Sequence, residues 1–264
     1  MIEPEKLLDI FARRPKRFSL IEQALDILKP VPGGKWLEVG CNTGDATAFL
    51  CEKCGLDAVG IDFNTEAIEE GKQKHPYTNL VCARVQNIPF EDNSFCGIIS
   101  EAAWSPLTDK DMAAKEYARV VMPGGYLVIN DFILKPTFTA DSVAQYSYMP
   151  CFAGVGSMDS YGRHFEKEGF ECIQATVEKN YLASISFHLI KECHVKPTDI
   201  GPLLAFWGND GHPNCGITQG AVSGAEEALK QVDPFQSIHE TDEERSDALK
   251  QGGLSFGQLL MRKR

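Results

Sequence analysis

The stretch Trp36-Leu37-Glu38-Val39-Gly40-Cys41-Asn42-Thr43-Gly44-Asp45 constrains this chain more than any other. An apolar strand runs into a turn of small residues, and a helix is expected to follow at once. Gly40 and Gly44 permit a tight turn and leave no Cβ where a ligand would approach. The helix after them aims its first amide groups into the turn. The spacing is G-x-x-x-G, so neither the G-x-G-x-x-G dinucleotide pattern nor a G-x-x-x-x-G-K-[ST] phosphate loop is met.

A second short apolar strand, Ala58-Val59-Gly60-Ile61-Asp62, ends in an acid 22 residues after Gly40. A βαβ unit places a carboxylate there for the hydroxyls of a ribose. Glycine turn and acid together read as a nucleoside site. The rest of the chain supports the architecture that such a site needs. Apolar runs predict strands near 35–40, 57–61, 79–83, 96–100 and 125–131, with helices near 44–54, 65–74 and 109–121. That alternation predicts an α/β fold, a doubly wound and mostly parallel sheet. Two amphipathic helices, 4–13 and 18–29, precede it, and Pro30, Pro32, Gly33 and Gly34 end the second. Residues 136–160 lose periodicity and read as a loop or lid. A helix is expected over 161–168, a strand from Phe170 to Val177, and a helix around Leu182, Ile185 and Leu189.

Two further segments narrow the reading. Gln86-Asn87-Ile88-Pro89-Phe90-Glu91-Asp92-Asn93-Ser94-Phe95 leads into the strand at Gly97-Ile98-Ile99-Ser100. Glu116 to Asp131, with Met122-Pro123-Gly124-Gly125 at its centre, reads as helix, turn and strand. With these motifs in order, the chain resembles the class I S-adenosylmethionine-dependent methyltransferases over roughly residues 33–178, with a last strand near 254–262. The resemblance implies a Rossmann-like sheet of seven strands whose last strand is antiparallel. Residues 1–32 then form N-terminal helices and 33–264 the methyltransferase domain. Residues 193–252, rich in proline and glycine, become a helical or loop insertion before the last strand, a usual place for substrate specificity.

The resemblance also implies roles. Glu38 helps orient the methionine end of the cofactor, and Gly40, Cys41, Asn42 and Gly44 present backbone to it. Asp62 accepts from the ribose, Phe63 flanks the adenine, and Arg84, Val85 and Gln86 lie along its edge. Ser100 and Glu101 leave the fourth strand beside the sulfonium. Three positions depart from the family pattern. Asn42 stands where many relatives have glycine, although Asn tolerates left-handed backbone better than most residues. Arg84 replaces the usual aspartate and can only donate. Cys96 replaces a common Asp. Glu116 and Arg119 match the family and are read as structural.

Methyl transfer from a sulfonium is an in-line displacement on an already activated carbon, so alignment matters more than a dedicated catalytic group. No catalytic residue is assigned. Glu101, Asp131 and His164 are candidate bases near strand ends or the lid, although each reads more readily as a surface or structural group. A soft acceptor would need no base. Cys151-Phe152-Ala153-Gly154 and its 18-residue step to Gly169 resemble a segment of the arsenite methyltransferases, and Cys215 loosely matches a later substrate cysteine there. Soft thiolates suit a metalloid. That family's further cysteine falls on Thr47, with Cys51 one turn later. Cys51 and Cys54 have C-x-x-C spacing, which needs two more ligands for zinc, and Cys193, His194, His212 and Cys215 offer them only on paper. No metal is expected.

Composition limits the partners. The net charge is −11, from 37 acids against 26 bases, a field that repels phosphate backbones and disfavours nucleic acid. Arg13-Arg14-Pro15-Lys16-Arg17 is the one basic cluster and reads as a solvated turn. No apolar run of membrane-spanning length occurs. Acids stand at the N-terminus where a signal peptide would be basic, so a cytoplasmic protein is expected. The nine cysteines are an odd number and read as thiols. The expectation is therefore an S-adenosylmethionine-dependent enzyme acting on a small molecule. A metalloid or thiol methyltransferase using Cys151 and Cys215 is one alternative. A non-catalytic S-adenosylmethionine-binding protein is the other. Oligomeric state is left open.

Overall fold

The computed structural model describes residues 16–107, 109–134, 154–178 and 254–264, and nearly all of them belong to one compact unit. Seven strands form one sheet: β1 (Lys35–Val39), β2 (Asp57–Asp62), β3 (Asn79–Cys82), β4 (Phe95–Glu101), β5 (Val121–Leu134), β6 (Phe170–Val177) and β7 (Leu254–Lys263). Their order is β3-β2-β1-β4-β5-β7-β6. The first five pair in parallel. Two backbone bonds reverse the last pair: Glu178 donates to Phe256 at one end of β6 and Arg264 to Gly169 at the other, so β7 runs antiparallel. The expected doubly wound sheet, with its antiparallel last strand, is present. The order reverses between β1 and β4, which makes a crevice at their carboxyl ends.

Five helices are described: α1 (Ser19–Leu28), α2 (Asp45–Glu52), α3 (Thr65–Lys74), α4 (Lys110–Val120) and α5 (Met158–Glu166). Each starts or stops for a local reason. Helix α1 buries Leu20, Ile21, Ala24 and Leu28, one stripe at helical spacing, and ends on a left-handed Lys29 before Pro30. Asn64 caps α3 by accepting from Glu66 and Ala67, and Asp109 caps α4 by accepting from Met112.

Two element starts differ from the sequence reading by three residues or more. Helix α5 begins at Met158, inside the expected lid, because the Ser157 hydroxyl accepts from the Ser160 amide and caps it there. Strand β5 begins at Val121, ahead of the expected 125. Val121 opposes Phe95 and Tyr126 opposes Gly97, so Met122 to Gly125 are taken up as a bulge between two paired stretches. Helix 4–13, residues 136–153 of the lid, the helix at 182–189 and the insertion at 193–252 lie outside the described residues. No described helix is long and apolar enough to cross a membrane.

Glu116 and Arg119 on α4 do the structural work expected of them. The Arg119 guanidinium donates to Glu116 on its own helix, to the carbonyls of Ile88 and Phe90 and to Asp92. Glu116 in turn accepts from the Ile88 amide at 2.8 Å, and its bonds to Arg119 hold its carboxyl below the usual range. The pair clamps the segment that feeds β4. Lysine has neither the planar fork nor enough donors to span these acceptors. Arg119→Lys is expected to lower unfolding free energy by roughly 2 kcal/mol in a urea titration. An unchanged midpoint would remove the clamp from this account.

Candidate functional site

The turn after β1 is built as its glycines require. Gly40, Asn42 and Gly44 all adopt left-handed backbone, with φ of 78°, 50° and 77°. Asn42 is the non-glycine member, and asparagine tolerates that region. At Gly40 space is also decisive: a Cβ there would lie 2.2 Å from the Cβ of Ala103, just beyond β4. The two loops that flank the crevice therefore touch at Gly40. The turn is tied to β2 through Ile61, whose carbonyl accepts from the Gly40 and Cys41 amides at 2.9 and 3.0 Å.

Asp62 closes the turn. Its Oδ2 accepts from the Asn42 amide and its Oδ1 from the Asn64 amide, both at 2.9 Å. Each oxygen spends one lone pair on the chain and keeps another for a ligand. A carboxylate fixed this way, half-exposed at a strand end, suits a pair of vicinal hydroxyls. Beside it the Phe63 ring is 68% exposed, unusual for a large apolar side chain and fitted to stack on a planar base. The Arg84 guanidinium lies 5.8 Å from the centre of that ring. Arg84 thus reaches the same ring that a base would use. Val85 is buried and Gln86 half-buried.

The remaining predicted residues divide by face. Glu38 is buried, and its carboxylate accepts from the hydroxyl of Thr47 on α2. Thr47 is therefore a support for Glu38. Cys41 gives its amide to the Ile61 carbonyl. Its thiol is buried with Ile68 and Leu80, and burial, then the charges of Glu38 and Asp62, push it well above its ordinary range. Ser100 is fully buried, and its hydroxyl lies close to the phenol group of Tyr117. Glu101, the next residue, faces the opposite way and is half-exposed.

Two candidate bases are held in structural contacts. Asp131 is buried and accepts from the amides of Trp104, Ser105 and Phe132 at 2.7, 2.9 and 2.7 Å. It pins the loop that leaves β4. His164 on α5 packs beside Trp104 and shares a 2.7 Å bond with Asp111 on α4. Cys51 and Cys54 pack on the cluster beneath α1, and the Cys51 thiol faces the Ala58 carbonyl. Among the described residues no three His, Cys, Asp or Glu side chains gather as a metal site. Cys151, Cys193, His194, His212 and Cys215 lie outside the described residues.

Two residues at this end of the sheet were not singled out from sequence. Asn130 on β5 and Gln258 on β7 are fully buried, yet they join one another and Glu101 by hydrogen bonds. Their signal was a lone amide inside each apolar strand.

The turn, the strand-end acid and the exposed ring together fit the sugar and base of a nucleoside. Comparisons agree with that geometry. The family profile described as "Methyltransferase domain" matches residues 37–129. A demethylmenaquinone methyltransferase of Renibacterium salmoninarum is 32% identical over 114 residues, which is 43% of this chain and 47% of that one. Methyltransferase GfsG of Streptomyces halstedii is 26% identical over 178 residues, covering 64% of this chain and 63% of that one. The chain thus matches less than two thirds of these curated relatives' lengths. Among solved structures, phosphoethanolamine N-methyltransferase 2 of Haemonchus contortus, in complex with S-adenosyl-L-methionine, aligns over 100% of this chain and 60% of that one. The TM-score is 0.66 and the identity 16%.

Proposed function

We propose that this chain, whose residues 37–129 form a class I S-adenosylmethionine-dependent methyltransferase domain, transfers a methyl group from S-adenosylmethionine to a small-molecule acceptor. The observation that carries the reading is Asp62, anchored through both oxygens at the mouth of the left-handed turn. When bound, the cofactor supplies a methyl group already activated by a sulfonium. The chain has to hold that group, align an acceptor with it and exclude water.

Asp62 would take the ribose hydroxyls, and the backbone of Gly40, Cys41, Asn42 and Gly44 the methionine end, with Glu38 behind it. Phe63 would stack on the adenine. Arg84 would donate to a ring nitrogen or pack over the base, since it cannot accept from the adenine amino group. Val85 and Gln86 would line the edge, and Ser100 and Glu101 would border the methyl group. The lid at 136–160 and the insertion at 193–252 would choose the acceptor.

The test begins with calorimetric titration of the full chain with S-adenosylmethionine. Binding is expected, and at a hundred times its dissociation constant the ligand should add about 2.7 kcal/mol of stability, visible as a rise in melting temperature. Absence of binding would sink the reading. Labelled methyl transfer to thiols, arsenite and small organic acids then separates the alternatives. Transfer to arsenite or thiols that is lost in Cys151→Ser and Cys215→Ser would favour soft-acceptor chemistry. Tight binding with no transfer to any class would favour a non-catalytic cofactor-binding protein.

A further inference from the structure

One face of the sheet is apolar until its central strands reach their carboxyl ends. Trp36, Ile99, Val128 and Leu260 lie on it, in one cluster with residues of α1 and α2. Ile99 opposes Glu38 on β1, and Glu101, two residues on, opposes Asn130 on β5. Strand alternation keeps all of these on one face. Gln258 meets Asn130 from β7. A polar row of Glu101, Asn130 and Gln258 therefore crosses three neighbouring strands at the crevice, with Glu38 on the same face one step back, level with Ile99.

The hydrogen bonds in this row have a fixed direction. The Leu20 carbonyl can only accept, so Gln258 turns its Nε2 toward it at 2.8 Å. The same nitrogen donates to Asn130 Oδ1 at 2.9 Å. Asn130 then has its Nδ2 left for Glu101, which accepts at 2.9 Å. The arrangement leaves Gln258 Oε1 buried without a partner, a cost that an apolar side chain would avoid. Asn130 also holds the backbone beyond Glu101. Its carbonyl accepts from Ala102 at 2.7 Å, and Ala102 sits at a φ of 54°, strained for alanine. Two strained or unsatisfied features thus surround one half-exposed carboxylate at the switch point.

We propose that this row fixes Glu101 as a carboxylate that selects a cationic ligand group, so that the site tells the sulfonium of S-adenosylmethionine from the neutral thioether of S-adenosylhomocysteine. The inference rests on the cofactor reading above. Glu101 is the residue that meets the ligand, and Asn130 and Gln258 are positioning residues. Donation from Asn130 holds the carboxylate in one rotamer, so no ordering cost falls on binding. The selection favours the methyl donor over the spent product without reference to the acceptor.

The experiment is calorimetric titration of the full chain with S-adenosylmethionine and with S-adenosylhomocysteine. Wild type, Glu101→Gln and Gln258→Leu are compared, with thermal melts alongside. Glu101→Gln keeps the size of the side chain and removes its charge. It is expected to weaken S-adenosylmethionine binding about tenfold and to change S-adenosylhomocysteine binding by less than about twofold. Gln258→Leu should move the same ratio in the same direction by about threefold, through a loosened Glu101. An unchanged ratio in Glu101→Gln overturns the proposal. Equal weakening of both ligands in Gln258→Leu, with a lower melting temperature, reduces the row to a structural network and also overturns it. If wild type binds neither ligand, the cofactor reading itself fails, a result distinct from either of these.

Discussion

Asp62→Ala is expected to weaken S-adenosylmethionine binding about 100-fold while leaving the sheet folded. The variant removes the acceptor for two ribose hydroxyls, and hydrogen bonds to a charged group contribute roughly 1.5 kcal/mol each. It also frees the Asn42 and Asn64 amides that Asp62 now holds at 2.9 Å. The left-handed turn then loses its tie to the end of β2, apart from the two bonds to the Ile61 carbonyl. Asp62→Asn keeps one oxygen and turns a donor toward the other partner, so a loss of about tenfold is expected. Titration calorimetry reads the affinity, and far-ultraviolet circular dichroism reads the fold. A loss below about threefold in Asp62→Ala would show that the acid does not meet the ligand.

The second large effect falls on stability. Asp131→Ala should destabilise the protein by roughly 3–5 kcal/mol and lower its melting temperature by about 10 °C. The carboxylate is buried and is the acceptor for the Trp104 and Ser105 amides. Its removal releases the loop that carries Ala103 against Gly40, so cofactor affinity should fall as well.

A pH signature separates Asp131 from an ordinary core substitution. Burial pushes its carboxyl up to about 6, against the pull of Ser105, Phe132 and Trp104. The unfolded group titrates near pH 3.9. The folded state therefore binds the proton more tightly than the unfolded state. The stabilising contribution of that proton is full below about pH 4 and is lost as pH rises through about 6. The gap between wild type and Asp131→Ala in urea unfolding should narrow from pH 4 to pH 6.5 and then level. A gap that widens over that interval would reverse the assigned shift.

Much of the fold was legible along the chain because its signals are local. Apolar runs bounded by Gly, Pro and Asn placed six of the seven strands within a few residues, and the family resemblance placed the last. Where a boundary moved, a nearby side chain explains it. Ser157 starts α5 early, and Met122 to Gly125 fold into a bulge inside β5. The turn from Gly40 to Gly44 was equally readable, since left-handed backbone limits which residues can stand there. The divisions within the site were harder to read. Ser100 and Glu101 are neighbours in sequence, yet one is buried beside Tyr117 and the other opens to the crevice. Asp131 and His164 stayed candidate bases beside their favoured structural reading, because titratable residues near strand ends are candidates until their neighbours are known.

By itself, then, the sequence determined the alternation of strands and helices, the left-handed turn after β1 and the acid at the end of β2. Those depend on contacts within a few residues or on one βαβ unit. Only the tertiary structure decided that Asp131 is a buried acceptor for the loop after β4, that Thr47 supports Glu38, and that Gln258, Asn130 and Glu101 form one hydrogen-bonded row. These partners lie up to 128 residues apart, and nothing in the local chain encodes the pairing. It arises because β7 enters the sheet beside β5, and because strand register sets which side chains share a face.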